Sequence, residues 1–143
     1  MRIFLHRAYN GDMKKLYSQF GKIFEKYPAV KLVYLFGSRA RGDAGKLSDW
    51  DFAFYFDEID KKKRFDLKLE LFAEMSRVLQ TDLVDVLILN DAQSPELKYH
   101  VIKEGHLLYE KEPFKVLLEP KILNEYFDFR DSLLRNHLTS SLL

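Results

Sequence analysis

"FGSRARGDAGKLSDWDF", Phe36 to Phe52, joins the end of one apolar run to the start of the next and sets how the two lie against each other. The run before it, "VKLVYLFGS" (Val30 to Ser38), is short and β-branched or aromatic on both faces, the pattern of a buried strand. The run after it, "SDWDFAFYF" (Ser48 to Phe56), alternates: Trp50, Phe52, Phe54 and Phe56 point one way, and Asp49, Asp51, Ala53 and Tyr55 the other. Gly42 and Gly45 let the intervening loop turn back, so the second strand returns beside the first. Asp49 and Asp51 then project from one face at the mouth of that turn.

Working outward, the residues before Val30 predict a helix from about Asp12 to Tyr27. Met13, Leu16, Tyr17, Phe20, Ile23, Phe24 and Tyr27 fall at helical spacing, Asp12 stands as its cap and Pro28 as its stop. Beyond Phe56, "DKKKRFDLKLELFAEMSRVLQ" (Asp60 to Gln80) predicts a second helix with Phe65, Leu69, Phe72 and Leu79 among its inner residues. "DLVDVLIL" (Asp82 to Leu89) reads as a third buried strand. Ser94 as N-cap, Pro95 as first helical residue and Gly105 as stop frame a short helix, followed by "HLLYE" as a short strand. A last helix is expected from about Lys121 to Leu138, with Ile122, Leu123, Tyr126, Phe127, Leu133 and Leu134 as its apolar stripe. The order is α-β-β-α-β-α-β-α, an α/β (α+β) arrangement with helices packed on a small sheet.

The chain has 143 residues, enough for one core, and a single domain over residues 1–143 is expected. Hydrophobic residues are 47% and aromatic residues 15% of it, which excludes a disordered chain. A net charge of +1 gives no general attraction to nucleic acid or anionic membrane, and no run approaches the roughly 18 to 20 apolar residues of a membrane span. With no cysteine, thiolate chemistry and zinc–thiolate sites are excluded, and a reducing cytoplasmic setting is compatible.

Two carboxylates held at i and i+2 on one strand face repel each other unless a cation lies between them. Hard oxygen ligands so arranged suit Mg²⁺, which takes one or two protein carboxylates and completes its shell with water and phosphate oxygens. Gly37 and Ser38 open a turn or short helix whose free N–H groups and dipole favour phosphate. Ser38 adds a hydroxyl, and Arg39 and Arg41 add charge suited to phosphate oxygens. A third carboxylate would complete a two-metal centre for phosphoryl or nucleotidyl transfer. "TDLVDVLIL" offers Asp82 and Asp85. Asp85, flanked by Val84 and Val86 and with Leu83 and Leu87 on its own face, is expected to be enclosed, and a bare enclosed aspartate is costly unless it ligates metal. Asp85 is therefore preferred, with Asp82 left as an ordinary acid at the strand's start.

This arrangement resembles the nucleotidyltransferase superfamily that includes DNA polymerase beta, whose signature is a Gly-Ser turn, a spacer, an Asp-x-Asp pair and a later strand aspartate. Here Gly37-Ser38 is followed by ten residues, then Asp49-Trp50-Asp51, with Asp85 as the later acid. "GSRARGDAGKLSDWDFAF", "DLVDVLIL" and "ELKYHVIKEGHLLYE" together look like the minimal nucleotidyltransferase (MNT) family, the antitoxin half of HEPN–MNT toxin–antitoxin pairs, across roughly residues 30 to 110. The resemblance implies the nucleotidyltransferase fold, ATP as substrate and two Mg²⁺ ions. It implies that Asp49, Asp51 and Asp85 hold the metal and that Gly37 and Ser38 hold the β- and γ-phosphates. It further implies AMP transfer to a tyrosine of a cognate HEPN ribonuclease toxin as partner. The length leaves no room for a separate substrate-recognition domain, so an acceptor that brings its own surface is expected. Two other readings stay open at this level: an antitoxin that masks its toxin without chemistry, and a small-molecule nucleotidyltransferase whose second domain is another chain.

Overall fold

In a computed structural model of the chain, residues 11–45 and 47–136 are described. The capping expected of Asp12 and the last residues of the expected tail helix, His137 and Leu138, lie outside what is described. The elements run α1 (Gly11–Glu25), β1 (Val30–Phe36), α2 (Ser38–Arg41), β2 (Trp50–Phe56), α3 (Lys61–Leu79), β3 (Val84–Ile88), α4 (Pro95–Glu104), β4 (His106–Glu110) and α5 (Phe114–Arg135). The four strands form one mixed sheet in the order β3-β2-β1-β4. β1 pairs antiparallel with both β2 and β4, while β2 and β3, joined through α3, are parallel as a β-α-β connection requires.

The alternation of β2 sorts the two faces as its sequence implies. Phe52, Phe54 and Phe56 are buried with Phe20, Phe24, Leu71, Met75 and Val86 under α1 and α3. Ala53 and Tyr55 join Leu32, Tyr34, Leu89, Val101 and Leu107 under α4 and α5. Edge-to-face ring pairs lock α1 onto the sheet: Phe20 meets Phe52 at 5.5 Å and Phe24 meets Phe54 at 5.5 Å. On the other face the Tyr34 hydroxyl donates to Glu119 Oε2 (2.7 Å), and Lys98 of α4 pairs with Glu125 of α5 at 2.9 Å.

Three details depart from expectation. The inner stripe of α3 is rotated in part: Phe72 and Leu79 pack against the core as expected, but Leu71 and Met75 are the fully buried residues, and Phe65 and Leu69 are half exposed. Both stripes have helical spacing, and only docking against β3 chooses between them. The last helix begins at Phe114, ahead of the expected start near Lys121, and carries Pro120 inside it. A proline there removes one hydrogen bond to Val116, but both residues lie on the exposed side, where water serves the freed carbonyl. Gly105 does end α4, yet its φ is −74°, open to any residue. Glycine is needed there because a Cβ would overlap the Val101 carbonyl oxygen and stand 3.1 Å from that of Leu35.

The rotated stripe has a measurable consequence. Leu71→Ala is expected to cost about 2–5 kcal/mol as a cavity forms in the core. Leu69→Ala, at a half-exposed site, is expected to cost less than about 1 kcal/mol. Urea denaturation of the two variants checks the order, and the reverse order would rule out this helix register.

Candidate active site

The polar end of the sheet lies where β1 finishes and β2 begins. In the register there, Asp51 of β2 pairs with Phe36 of β1 on one side and with Asp85 of β3 on the other. Paired residues of neighbouring strands share a face, so Asp51 and Asp85 point the same way, and Asp49 joins them by alternation. Asp82 falls outside β3, three positions earlier, and is exposed. The register thus brings Asp51 and Asp85 together, with the Asp49 charge acting on Asp51 from one residue ahead of the strand, and leaves Asp82 apart.

Asp85 itself is exposed, contrary to the enclosure expected of it. Its neighbours Val84 and Val86 are buried on the opposite face, and β3 is an edge strand, so the face that carries Asp85 is open at this end. The half-buried carboxylate is Asp51, on an inner strand. Burial, then the Asp85 and Asp49 charges, push its carboxyl above the ordinary aspartate range, with Arg41 pulling the other way.

Gly37 explains how Asp51 fits. It has φ +74° and ψ −158°, a conformation that in practice only glycine adopts. A Cβ on Gly37 would overlap Asp51 Oδ2 and stand 3.2 Å from its Cγ. The glycine therefore makes room for the carboxylate as well as the turn. It precedes α2, whose first N–H groups, like those of any helix, have no intrahelical partner, and it brings no side chain to cap them. Ser38, partly buried, is the first residue of that helix. Gly42 closes α2 in the left-handed region (φ +84°), turning the chain toward β2.

The two arginines of α2 diverge. Arg41 is exposed and pairs with Asp43 at 3.4 Å. Arg39 turns back: its guanidinium lies 4.4 Å from the Trp50 ring centre and donates to the Ser48 carbonyl at 3.0 Å. This contact was not legible beforehand, because Trp50 reads as a core anchor and Arg39 as a phosphate ligand. A cation in the turn and an aromatic residue at the strand's start were the available signal.

Among the described residues, no three acidic or histidine side chains gather tightly enough to enclose a metal ion. The donor set still suits Mg²⁺, which needs only one or two protein carboxylates. A carboxylate packed into a glycine notch at an open face, with the Asp85 and Asp49 charges acting on it, is a fit for such an ion.

A carboxyl with a raised folded-state pKa binds its proton more tightly folded than unfolded. Its contribution to stability is full below the ordinary aspartate value and is lost as pH rises through the raised one. At neutral pH without metal, the Asp51 charge therefore works against the fold. Asp51→Asn is expected to raise Tm at pH 7 in chelator, with the gain shrinking as pH falls through the raised value and gone below about 4. Thermal unfolding across pH checks this, and a gain independent of pH would remove the electrostatic account.

Comparison with known proteins agrees with this geometry. Residues 18–114 match the family model described as polymerase beta, nucleotidyltransferase. Over 101 residues the chain is 30% identical to the protein adenylyltransferase MntA of Aphanizomenon flos-aquae (strain 2012/KM1/D3), the match covering 63% of each chain. The chain thus spans somewhat under two thirds of that relative's length. Among solved structures it is similar to a chain of a toxin–antitoxin crystal structure with AMP-PNP, with TM-score 0.72, 23% identity and coverage of 89% of this chain and 98% of that one. It is also similar to a chain of a tri-AMPylated Shewanella oneidensis HEPN toxin in complex with its MNT antitoxin, with TM-score 0.66, 22% identity and coverage of 91% and 98%. Those likenesses show the fold, and the family match covers the sheet, the glycine notch and all three aspartates: the chain belongs to the polymerase beta nucleotidyltransferase family.

Proposed function

We propose that this protein transfers AMP from ATP to a hydroxyl of a partner protein, and that the acceptor is a tyrosine of a HEPN ribonuclease toxin, which it thereby silences as an antitoxin. The observation that carries the reading is the register of β2 and β3, which sets Asp51 beside Asp85 with Asp49 on the same face, next to the Gly37 notch. Its relatives support the chemistry: one is named a protein adenylyltransferase, one solved structure holds AMP-PNP, and another contains an AMPylated HEPN toxin. The work is assigned to the cytoplasm, where ATP and such a toxin meet; no helix among the described residues is long and apolar enough to cross a membrane.

In this reading Gly37 and Ser38 receive the β- and γ-phosphates at the start of α2, and Arg41 adds positive charge at the rim. Asp49 and Asp51 would hold two Mg²⁺ ions, with Asp85 joining at the catalytic one; when bound, they neutralise charge developing on the phosphate oxygens. Asp85, exposed on the open face, takes the proton of the incoming hydroxyl. The hydroxyl oxygen bonds to the α-phosphorus as the bond from that phosphorus to the bridging oxygen breaks, and pyrophosphate leaves.

Asp49→Asn with Asp51→Asn is expected to stay folded and to lose AMP transfer by at least ~10³-fold. Asp85→Asn should be equally inactive, whereas Asp82→Asn should keep most activity. Transfer of labelled AMP to the copurified toxin, with mass spectrometry of the acceptor, is the measurement. Full transfer by the double variant, or an active Asp85→Asn beside a dead Asp82→Asn, would overturn the assignment.

Ser38→Ala should remain folded and bind Mg²⁺·ATP about 1–3 kcal/mol more weakly, through loss of a charge-assisted hydrogen bond. Titration calorimetry checks it. Unchanged affinity would leave Ser38 a purely local role at the start of α2.

A further inference from the structure

We propose that Arg39 is a positioning residue, a clamp that sets where Asp49 stands relative to Asp51 by holding Trp50 and the Ser48 carbonyl. The proposal rests on the reading of Asp49 and Asp51 given above. Its starting point is a difference in how the two aspartates are held. Asp51 lies inside the sheet ladder, paired on both sides. Asp49 does not: β2 begins at Trp50, and the strand pairing begins with Trp50 opposite Val84. Asp49 hangs one residue ahead of the ladder, at the end of the loop that follows α2, and it is exposed.

Among the described residues, few contacts fix the part of that loop next to Asp49. Near the aspartate it closes on Gly45 and Ser48, with Gly45 N–H donating to Ser48 Oγ at 2.9 Å and Ser48 N–H to the Gly45 carbonyl at 3.2 Å. Arg39 supplies what is missing. Its guanidinium stacks over Trp50, the residue after Asp49, at 4.4 Å. The same group donates to the carbonyl of Ser48, the residue before Asp49, at 3.0 Å. One rigid, planar cation therefore brackets Asp49 from both sides along the chain.

The direction of the contact matters as much. Trp50 alternates with Asp49 and Asp51, and packs against the aromatic core on the reverse face of β2. A guanidinium stacked on that ring is drawn away from the face where the carboxylates stand. Its Nε is buried and has no hydrogen-bond partner among the described residues. Lysine cannot replace this group, because only a planar guanidinium stacks on a ring and donates in its own plane at once.

Trp50 is the protein's one tryptophan, so its emission reports the clamp directly. Arg39→Ala and Arg39→Lys are each expected to shift that emission and to lower kcat for AMP transfer by about 10- to 100-fold, with KM for ATP little changed. Trp50→Phe, which keeps a ring face, should retain most activity, and Trp50→Leu should lose as much as Arg39→Ala. The double variant Arg39→Ala with Trp50→Leu should be no worse than either alone, in rate and in unfolding free energy. Should Arg39→Ala fail to fold, Arg39→Lys and Trp50→Phe carry the test. An active Arg39→Lys, with a raised KM for ATP in Arg39→Ala and unchanged emission, would make Arg39 a phosphate ligand and overturn the clamp. Multiplicative losses in the double variant would overturn it as well. A wild-type protein that binds Mg²⁺·ATP but transfers no AMP would instead sink the proposed function. The clamp would then stand or fall on Trp50 emission and the coupling in unfolding free energy.

Discussion

The Asp51 carboxylate is pressed into the notch at Gly37, partly withdrawn from water, with Asp49 and Asp85 on the same face. Held so, Asp51 is raised in energy by the charges of Asp85 and Asp49, and among the described residues Arg41 at the rim acts the other way. The arrangement persists because the sheet over-determines it. β1 and β3 flank Asp51 on both sides, and the aromatic side chains of β2 are buried beneath α1 and α3. The hydrophobic energy of that aromatic core holds a cluster that electrostatics alone would disperse.

The helices cover the two faces unequally, and the site depends on that inequality. α1 and α3 close one face with the larger core. On the other, α4 and α5 cover Tyr34, Ala53, Tyr55 and Leu107, tied down by Tyr34–Glu119 and Lys98–Glu125. Their cover stops short of Asp49 and Asp85, which remain exposed. Water, metal and a large acceptor can all reach carboxylates so placed. A fully roofed sheet would bury the charges without partners at prohibitive cost.

The two arginines of α2 show how one short element sends like side chains to unlike surroundings. They are two positions apart on a four-residue helix and point to different surroundings. Arg41 stays at the exposed rim on the side of the carboxylates, while Arg39 reaches behind the strand to Trp50 and Ser48. Residue type alone does not separate these positions, since both are cations in a turn beside Gly37 and Ser38.

Local pattern in the sequence determined a good deal. The alternation of Trp50, Phe52, Phe54 and Phe56 against Asp49, Asp51, Ala53 and Tyr55 fixes which side chains share a face, because a strand has a period of two wherever it lies. Gly37, Ser38 and the spacing to the two aspartates mark the candidate site, and Ser94 and Pro95 locate the start of α4, whose cap bond to Leu97 forms as expected. Other features depend on how separate elements dock. α3 carries two apolar stripes of equal spacing, and contact with β3 selects Leu71 and Met75 over Phe65 and Leu69. Asp85 is a core residue by its neighbours in sequence and an exposed one in the fold, because the strand that carries it lies at the sheet's edge. The choice of Asp85 over Asp82, the notch that Gly37 opens for Asp51, and the reach of Arg39 to Trp50 all join residues distant in the chain or across a turn. Such contacts are set by strand register and packing, which no single stretch of sequence encodes.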